Sequence, residues 1–274
     1  MPQISFEEIG YAKINLALHV RARRDDGRHD IETLFAFVDD GDRLSFFDEQ
    51  PERLRIVGEF AGALPDGDGN LVTQAMQLHR KRPSLSVELE KRLPVAAGLG
   101  GGSADAGAAI RALRRFDYAD DAGNMADIAA LGADVPACVD SRCVIGRGTG
   151  TELTPVENDL AGVAVLLVNP RIPLPTGPVF AGWDGEDRGP LPAGSVREMA
   201  LNGRNDLEAP AIALVPEIAD VLATLQAQLP LLARMSGSGA TCFALFESRA
   251  ERDAAAERIA SDQPDWWQMS GALR

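Results

Sequence analysis

The sequence has few of the residues that build disulfide frameworks and metal centres. It contains three cysteines, Cys138, Cys143 and Cys242, and no two of them form a C-x-x-C pair. Three cysteines are too few for a disulfide framework. Histidine also occurs only three times, which argues against a metal site built from His and Cys side chains.

Basic charge and long apolar runs are scarce as well. The chain carries 41 acidic and 27 basic residues, for a formal net charge of -14. Such an acidic surface repels phosphate backbones, so we expect no binding to nucleic acids or anionic membranes, although a local pocket can still hold a small anion. The first residues lack the pattern of a signal peptide, and no run of about 18 apolar residues predicts a membrane helix. A cytoplasmic location is expected.

Lysine occurs only at positions 13, 81 and 91, while every other basic residue is arginine. A compact ammonium and a planar guanidinium recognise different partners. Each lysine kept in so arginine-rich a chain is therefore a candidate for a specific role.

The 274 residues, of which 45% are hydrophobic, allow one large domain or two smaller ones. Residues 13–20 alternate, with Lys13 and Asn15 on one face and apolar side chains on the other, which predicts a strand. Similar patterns predict further strands and helices at residues 34–38, 44–47, 85–89, 108–115 and 125–131. Because these elements interleave without regular β–α alternation, we predict an α+β fold in two halves.

The most unusual stretch is a glycine-rich loop between a predicted strand and a predicted helix. Four glycines stand within residues 98–102, where backbone N–H groups can converge on a ligand that a Cβ would exclude. The N-terminus of the following helix adds partial positive charge, so polyphosphate is the ligand that best uses both features. The alternative is a flexible connecting turn, although such turns rarely need more than one glycine.

The sequence lacks the residue spacing that other known glycine loops require. No lysine follows a glycine, which excludes a Walker loop, and Ser103 stands where a dinucleotide fingerprint starting at Gly98 needs Gly or Ala. Neither Ser103 nor Ser238 has both flanking glycines of a nucleophile elbow, and protein-kinase signatures are absent. A phosphate loop of another type remains.

Residues 94–105 resemble the ATP loop of the superfamily of galactokinase, homoserine, mevalonate and phosphomevalonate kinases (GHMP kinases). Further matches stand in the family's order at residues 12–16, 26–29, 132–136, 205–208 and 236–240. The Gly-Leu-Gly-Gly-Gly-Ser form of the loop, together with Gly-Ala-Asp-Val-Pro, resembles one branch of the superfamily. That branch phosphorylates the 2-hydroxyl of diphosphocytidyl methylerythritol in the non-mevalonate isoprenoid route.

The resemblance implies a two-domain GHMP kinase architecture of the α+β class. Residues 1–155 would form an ATP-binding domain of the ribosomal protein S5 domain 2-like type, and residues 156–274 an α+β substrate-binding domain. ATP and Mg²⁺ are the implied cofactors, with the Mg²⁺ ligands left open. The implied partner is a small-molecule substrate, and we expect a monomer or a weak homodimer. The implied ATP-binding residues are Pro94, Val95, Ala96, Ala97, Gly98, Leu99, Gly100, Gly101, Gly102, Ser103 and Ala104.

Lys13 and Asp134 match the family's catalytic residues. A hydroxyl is a weak nucleophile, so a carboxylate within hydrogen-bond reach helps as a base. The ammonium could keep Asp134 ionised, lower the pKa of the hydroxyl, or stabilise charge on the transferred phosphoryl group. The alternatives are an aspartate that only caps a helix or turn and a lysine exposed on a strand.

Substrate contacts are implied for Asn15, Arg28, His29, Thr176 and Phe180. Phe180 is expected either to stack on the cytosine or to serve as an ordinary core aromatic. The chain departs from the family at Arg28, where a tyrosine usually stacks on the base. A guanidinium plane also stacks on bases, so either Arg28 takes that role or cytosine affinity is reduced.

Two segments have structural alternatives of their own. Ser103 could contact phosphate or Mg²⁺, but a residue that only caps the helix would have similar geometry. Residues 236–240 resemble the third superfamily motif, and a plain hairpin turn would look the same.

Three other functions remain open at this stage. The chain could be another GHMP kinase acting on a smaller alcohol, or a nucleotide-binding protein without catalysis. An RNA-binding module of similar fold is the third, and it conflicts with the net charge of -14.

Overall fold

The computed structural model describes residues 4–48, 53–65, 67–78, 85–115 and 124–274. They form two compact units, each assembled from separate stretches of the sequence. Unit 1 comprises Met1–Ala12, Asp40–Val95 and Gly100–Ser141, and unit 2 comprises Lys13–Asp39, Ala96–Leu99 and Arg142–Arg274. The first two strands, β1 (Ile4–Arg23) and β2 (His29–Asp48), therefore contribute to both units.

In its described residues, unit 1 combines strands with four α-helices around one core. Its further elements are β3 (Leu54–Val57), α1 (Leu71–Gln77), β4 (Leu85–Glu90), α2 (Gly101–Arg115), α3 (Met125–Leu131) and α4 (Val135–Asp140). Residues 43–48 of β2 pair antiparallel with β4, and β3 pairs parallel with β4. The core between them is apolar, with side chains from β2, β4 and all four helices.

The long helix α2 is rich in alanine, which favours a helix and permits close packing. At Gly107, a Cβ would lie 2.6 Å from the carbonyl oxygen of Cys138 in α4, so the backbones of the two helices are in close contact there. The position of α4 is therefore set by the backbone of α2.

Unit 2 is built on an antiparallel sheet. Its elements are β5 (Val144–Arg147), β6 (Glu152–Pro155), β7 (Ala164–Asn169), α5 (Thr176–Ala181), α6 (Val196–Asn202), α7 (Glu208–Leu214), α8 (Glu217–Gln226), β8 (Leu232–Met235), β9 (Cys242–Phe246), α9 (Arg249–Asp262) and β10 (Trp267–Ala272). Four of the strands pair in the order β10-β7-β9-β8. Residues 33–35 of β2 pair with β5, which pairs in turn with β6. The central strand β7 is buried along its whole length, as its continuous apolar sequence requires.

The predicted α+β class is confirmed, and α3 has the bounds expected from the sequence. Two expectations were wrong. Residues 34–38 and 44–47 belong to the single strand β2, and the helix expected from residue 108 begins at Gly101. The division after residue 155 into an ATP-binding and a substrate-binding domain stays a prediction. Among the described residues, no helix has both the length and the apolar character needed to cross a bilayer.

Candidate active site

The backbone carbonyl groups of Ala96–Leu99, in the predicted ATP loop, are hydrogen-bonded to other residues of unit 2. Each carbonyl oxygen accepts one hydrogen bond, from Leu174 N to Ala96 (3.4 Å), from Thr241 N to Ala97 (3.2 Å), from Ser236 Oγ to Gly98 (2.8 Å) and from Lys13 N to Leu99 (3.0 Å). A flexible connector would not be held at every residue, so this part of the loop has one defined conformation.

The second glycine-rich turn, residues 236–240, connects β8 to β9 and packs directly against this segment. Gly98 has a φ of +76°. A Cβ at this position would lie only 2.2 Å from the carbonyl oxygen of Ser236. A Cβ on Gly237 would likewise lie 3.1 Å from the carbonyl oxygen of Gly98. The turn is a hairpin connection, as one reading of the sequence expected, and its backbone also supports the loop.

We expect Gly98→Ala to lower the free energy of unfolding more than a positive φ alone explains. The left-handed conformation costs an alanine about 1–2 kcal/mol, and the contact with Ser236 should add at least about 2 kcal/mol more. Gly185→Ala is the matched control, because Gly185 has a φ of +85° and a Cβ added there would meet no other atom within 4 Å. Urea unfolding of both variants measures the difference. Equal losses would show that residues 236–240 can move away from the loop.

Lys13 lies on β1 and is buried, with 4% of its surface exposed. Its Nζ donates to Asn15 Oδ1 at 3.2 Å and lies 4.6 Å from the centre of the Phe35 ring. An ammonium beside an amide oxygen and an aromatic face is held by charge-assisted and cation–π attraction. The alternative of a lysine exposed on a strand is therefore wrong.

The two polar atoms of the Asn15 side chain are fixed by neighbours in unit 2. Oδ1 accepts from Lys13, and Nδ2 donates to Thr33 Oγ1 at 2.7 Å, while Thr33 donates to the carbonyl oxygen of Ala17 at 2.8 Å. Thr33 thus sets the orientation of the amide, and the amide sets the position of the ammonium. Contact between Asn15 and the substrate stays a prediction.

Residues 205–208, one of the segments that match the GHMP family, connect two other parts of unit 2 by hydrogen bonds. Asn205 Nδ2 donates to the carbonyl oxygens of Met235 and Gly237, at 2.8 Å each. Asp206 Oδ2 accepts from Val20 N at 2.8 Å. These bonds join β1 to the second glycine turn.

In unit 1 the predicted ATP loop runs into the N-terminus of α2. Gly100 has a φ of +61°, and its carbonyl oxygen accepts from Ala104 N at 2.8 Å, the first bond of the helix. Since α2 begins at Gly101, Ser103 is the third helical residue rather than the cap. The reading of Ser103 as the N-cap was therefore wrong, and phosphate or Mg²⁺ contact stays a prediction.

Asp134 stands immediately before α4 and is partly exposed. Among the described residues, its side chain makes no capping hydrogen bond to the first turn of α4, so a capping role does not explain it. Arg111 of α2 holds the other end of α4, donating to the carbonyl oxygens of Cys138 (2.8 Å) and Val139 (3.3 Å). The carboxylate therefore stands at the start of a short helix whose other end is hydrogen-bonded to α2.

His29 and Phe180 form an aromatic cluster in unit 2. Their ring centres are 5.0 Å apart, and the Trp183 ring meets His29 edge-on at 5.7 Å. Burial, together with the nearby charge of Arg23, lowers the pKa of His29 below its usual value. Arg23 Nε lies 3.4 Å from His29 Nε2, so Nε2 accepts and the neutral ring carries its proton on Nδ1. Phe180 packs partly against the core and partly against this histidine.

The remaining expected substrate contacts lie at turns of unit 2. Arg28 is exposed in the turn between β1 and β2, where its backbone N donates to Asp26 Oδ1 at 3.0 Å. Thr176 begins α5, and its hydroxyl lies 3.0 Å from the hydroxyl of Ser238 in the second glycine turn. Their contacts with substrate stay predictions.

Sequence reasoning missed two residues that arrange the site. Thr33 and Phe35, which hold Asn15 and Lys13, stand in an apolar strand with no local signal of a special role. Only the pairing of distant segments reveals them.

Within the described ranges, no group of three or more His, Cys, Asp or Glu side chains could hold a metal ion. Mg²⁺ that accompanies a nucleotide needs no such group, because it usually keeps several waters and binds one or two protein oxygens together with phosphates. Ser103, a partly exposed residue in the first turn of α2, carries a hydroxyl that suits that arrangement.

Comparison with known proteins defines the class. The family model "GHMP kinases N terminal domain" matches residues 70–142, and "GHMP kinases C terminal" matches residues 194–265. These matches confirm the resemblance seen in the glycine loop and place the α+β fold among the GHMP kinases.

Similar proteins give a narrower assignment. The chain is 59% identical over 271 residues to 4-diphosphocytidyl-2-C-methyl-D-erythritol kinase of Novosphingobium aromaticivorans, covering 99% of this chain and 94% of that protein. It is 58% identical over 271 residues to the protein of the same name from Erythrobacter litoralis, covering 97% and 99%. A crystal structure of 4-(cytidine 5'-diphospho)-2C-methyl-D-erythritol kinase superposes with a TM-score of 0.83 at 33% identity, covering 98% of this chain and 99% of that one. The chain belongs to the 4-diphosphocytidyl-2-C-methyl-D-erythritol kinase family.

Proposed function

We propose that the chain transfers the γ-phosphoryl group of ATP to the 2-hydroxyl of 4-diphosphocytidyl-2-C-methyl-D-erythritol, a step of the non-mevalonate isoprenoid route. The observation that carries the proposal is the 59% identity to a kinase of that name over 99% of this chain. The buried Lys13 and the presented Asp134 supply the two groups that such a transfer uses.

In the proposed reaction the hydroxyl oxygen of the substrate attacks the γ-phosphorus of ATP. A new P–O bond forms, the bond to the bridging oxygen of ADP breaks, and the Asp134 carboxylate accepts the hydroxyl proton. The Lys13 ammonium, fixed by Asn15 and Phe35, offsets negative charge that develops on the transferred group. Mg²⁺ bound with ATP would neutralise part of the phosphate charge, with Ser103 as its candidate protein ligand.

Residues 94–104 are proposed to hold the phosphates and nucleoside of ATP. The first N–H groups of α2 have no partner within the helix and point toward its N-terminus, so they suit phosphate oxygens. The glycines leave room for phosphate to approach the backbone.

The diphosphocytidyl group is proposed to bind at the cluster of His29 and Phe180. A neutral histidine with its proton on Nδ1 offers a donor to the edge of a base, and Phe180 offers an aromatic face. Arg28 is exposed and directly precedes His29 in the sequence. It is proposed to stack on the base at the position where the family has tyrosine. Thr176 is proposed to contact the same group.

The proposal is tested by release of ADP in a coupled assay with each of three alcohols. We expect turnover with 4-diphosphocytidyl-2-C-methyl-D-erythritol and none above background with mevalonate or homoserine. Turnover with a small alcohol alone would identify another GHMP kinase. ATP binding without ADP release from any of them would identify a nucleotide-binding protein without catalysis. The expected cytoplasmic location and the monomeric or weakly dimeric state belong to the same proposal.

A further inference from the structure

Unit 1 contains a buried cluster of charged side chains that the proposed reaction does not use. Lys91, Asp42 and Asp105 are 1%, 0% and 2% exposed. Lys91 Nζ donates to Asp42 Oδ2 and, at 2.9 Å, to Asp105 Oδ2. Charges buried this deeply persist only when they are paired and hydrogen-bonded. The cluster also contains one of the three lysines of the chain.

The cluster connects the segments on either side of the glycine loop. The second oxygen of Asp42 accepts from the backbone N–H groups of Arg92 (2.6 Å) and Leu93 (2.8 Å), the residues that lead into the loop. Asp105 lies in the first turns of α2, where the loop ends. Lys91 bonds to both carboxyl groups, so it ties the entry of the loop to the helix that follows it.

The ammonium also lies against the first residue of α2. A Cβ on Gly101 would be 2.9 Å from Lys91 Nζ and 3.7 Å from Asp42 Oδ2. The positive group is therefore nearer to the helix N-terminus than this carboxylate oxygen. Glycine at position 101 is what gives the ammonium this space.

Electrostatic interactions within the cluster favour the charged form of the Lys91 side chain. Burial opposes the charge of Lys91, but the attraction of Asp105 and Asp42 outweighs it and raises the pKa of the ammonium. Burial raises the pKa of Asp105 well above its usual range, and neighbouring Asp42 adds to this, against the attraction of Lys91. Among the described residues, Asp105 Oδ1 is buried without a hydrogen-bond partner, which also disfavours its charge.

We propose that Lys91 is a positioning residue for ATP: through Asp42 and Asp105 it sets the first turn of α2 against the entry of the glycine loop, and it places an ammonium beside Gly101. This inference rests on the proposed ATP site. The first N–H groups of α2 then meet the phosphates in a fixed arrangement, with a positive charge behind them. Loss of the ammonium weakens the binding of ATP and leaves the affinity for the alcohol unchanged.

The experiment removes the charges of the cluster together. Lys91→Met alone leaves two buried carboxyl groups without their cation and is expected to unfold easily. The variant Lys91→Met/Asp42→Asn/Asp105→Asn keeps similar volumes, and the amide introduced at position 42 retains an oxygen for the N–H groups of residues 92 and 93. Replacement of a buried charged cluster by neutral groups of similar shape is often tolerated. Asp105→Asn alone, which keeps Lys91 and Asp42, separates the effect of the ammonium from the effect of its bond to α2.

We expect the triple variant to bind ATP on the order of ten-fold more weakly or worse in calorimetry, with a matching rise in the KM for ATP. The KM for the alcohol should stay within about two-fold, a split that general loosening of the fold would not produce. Asp105→Asn, which keeps the Lys91 ammonium and its bond to Asp42, should weaken ATP binding less than the triple variant does. Arg252→Met is the control, because Arg252 is another buried basic residue, 9% exposed, in α9. It should lower the Tm without changing ATP affinity.

Gly101→Ala provides a second line if the triple variant does not fold. Alanine is a better helix former than glycine, and its Cβ would displace the ammonium without changing any charge. We expect weaker ATP binding and a lower Tm, because the ammonium is moved from its buried partners. Gly102→Ala is the control for crowding of the phosphates by a loop Cβ, because a Cβ there would meet only Leu71 Cδ1, at 3.4 Å. Parental ATP affinity in a folded triple variant, or in Gly101→Ala when the triple variant is unfolded, would overturn the inference. Failure of the parent itself to bind ATP would instead overturn the proposed function.

Discussion

Asp134→Asn is expected to lower kcat by a factor on the order of 10² or more while ATP affinity stays near that of the parent. Asparagine has nearly the same shape as aspartate but cannot accept the hydroxyl proton. A hundred-fold loss corresponds to about 2.7 kcal/mol in the barrier. Because Asp134 precedes α4 without a side-chain capping bond in the described structure, the substitution removes no cap from this helix.

Steady-state kinetics and calorimetry with ATP measure the two quantities separately. Asp140→Asn is the matched control, since Asp140 is an exposed aspartate at the other end of the same helix. It should leave kcat within about two-fold of the parent, as most exposed substitutions do. If Asp134→Asn weakens ATP binding and leaves kcat unchanged, Asp134 is a binding residue and the base assignment is wrong.

Lys13→Arg, which keeps the charge, is expected to reduce turnover by on the order of 10²-fold, because a reacting group misplaced by about 1 Å can have that effect. Nζ of Lys13 is held by Asn15 and by the Phe35 ring in a buried position. A guanidinium is longer and planar, so it cannot place one compact charge at the same point. The larger side chain should also lower the Tm, so rates are compared at a temperature where both proteins are folded.

Arg55→Lys is the control for this exchange of residue types, because Arg55 is 65% exposed and pairs at the surface with Glu88. Its kinetics should match those of the parent. Turnover of Lys13→Arg within a few-fold of the parent would remove Lys13 from the reaction. The double variant with Asp134→Asn adds a further test: groups that act in the same step give a combined loss no larger than the larger single loss.

Several elements were predictable from the sequence because their signals are local. The alternation at residues 13–20 is a strand, and the apolar period at residues 125–131 is helix α3. The order of the glycine motifs was sufficient for the GHMP kinase family, which the family models confirm. The candidate residues of the site came from the same motifs, and their individual roles stay predictions.

The strand β2 shows what local signals cannot supply. Its residues 39–42, Asp-Asp-Gly-Asp, look like a polar break between two strands. The structure continues the strand through these residues. A Cβ on Gly41 would lie 2.0 Å from the carbonyl oxygen of Gly10, so the two backbones are in contact there. Asp42 is buried, and its carboxylate is paired there with Lys91. From the sequence alone, a polar residue in such a segment is expected to be exposed, and only the structure shows its distant partner.

The sequence by itself determined the fold class, the family and the candidate residues for the chemistry, since each depends on residue type and on short spacings. The tertiary structure alone decided that Lys13 is buried with Asn15, Thr33 and Phe35, and that Lys91 joins Asp42 to Asp105. Thr33 and Phe35 lie on a different strand from Lys13 and Asn15, and Asp42, Lys91 and Asp105 are far apart in the chain. Only the packing that removes them from water makes their pairing necessary, because a buried charge without a partner would destabilise the fold.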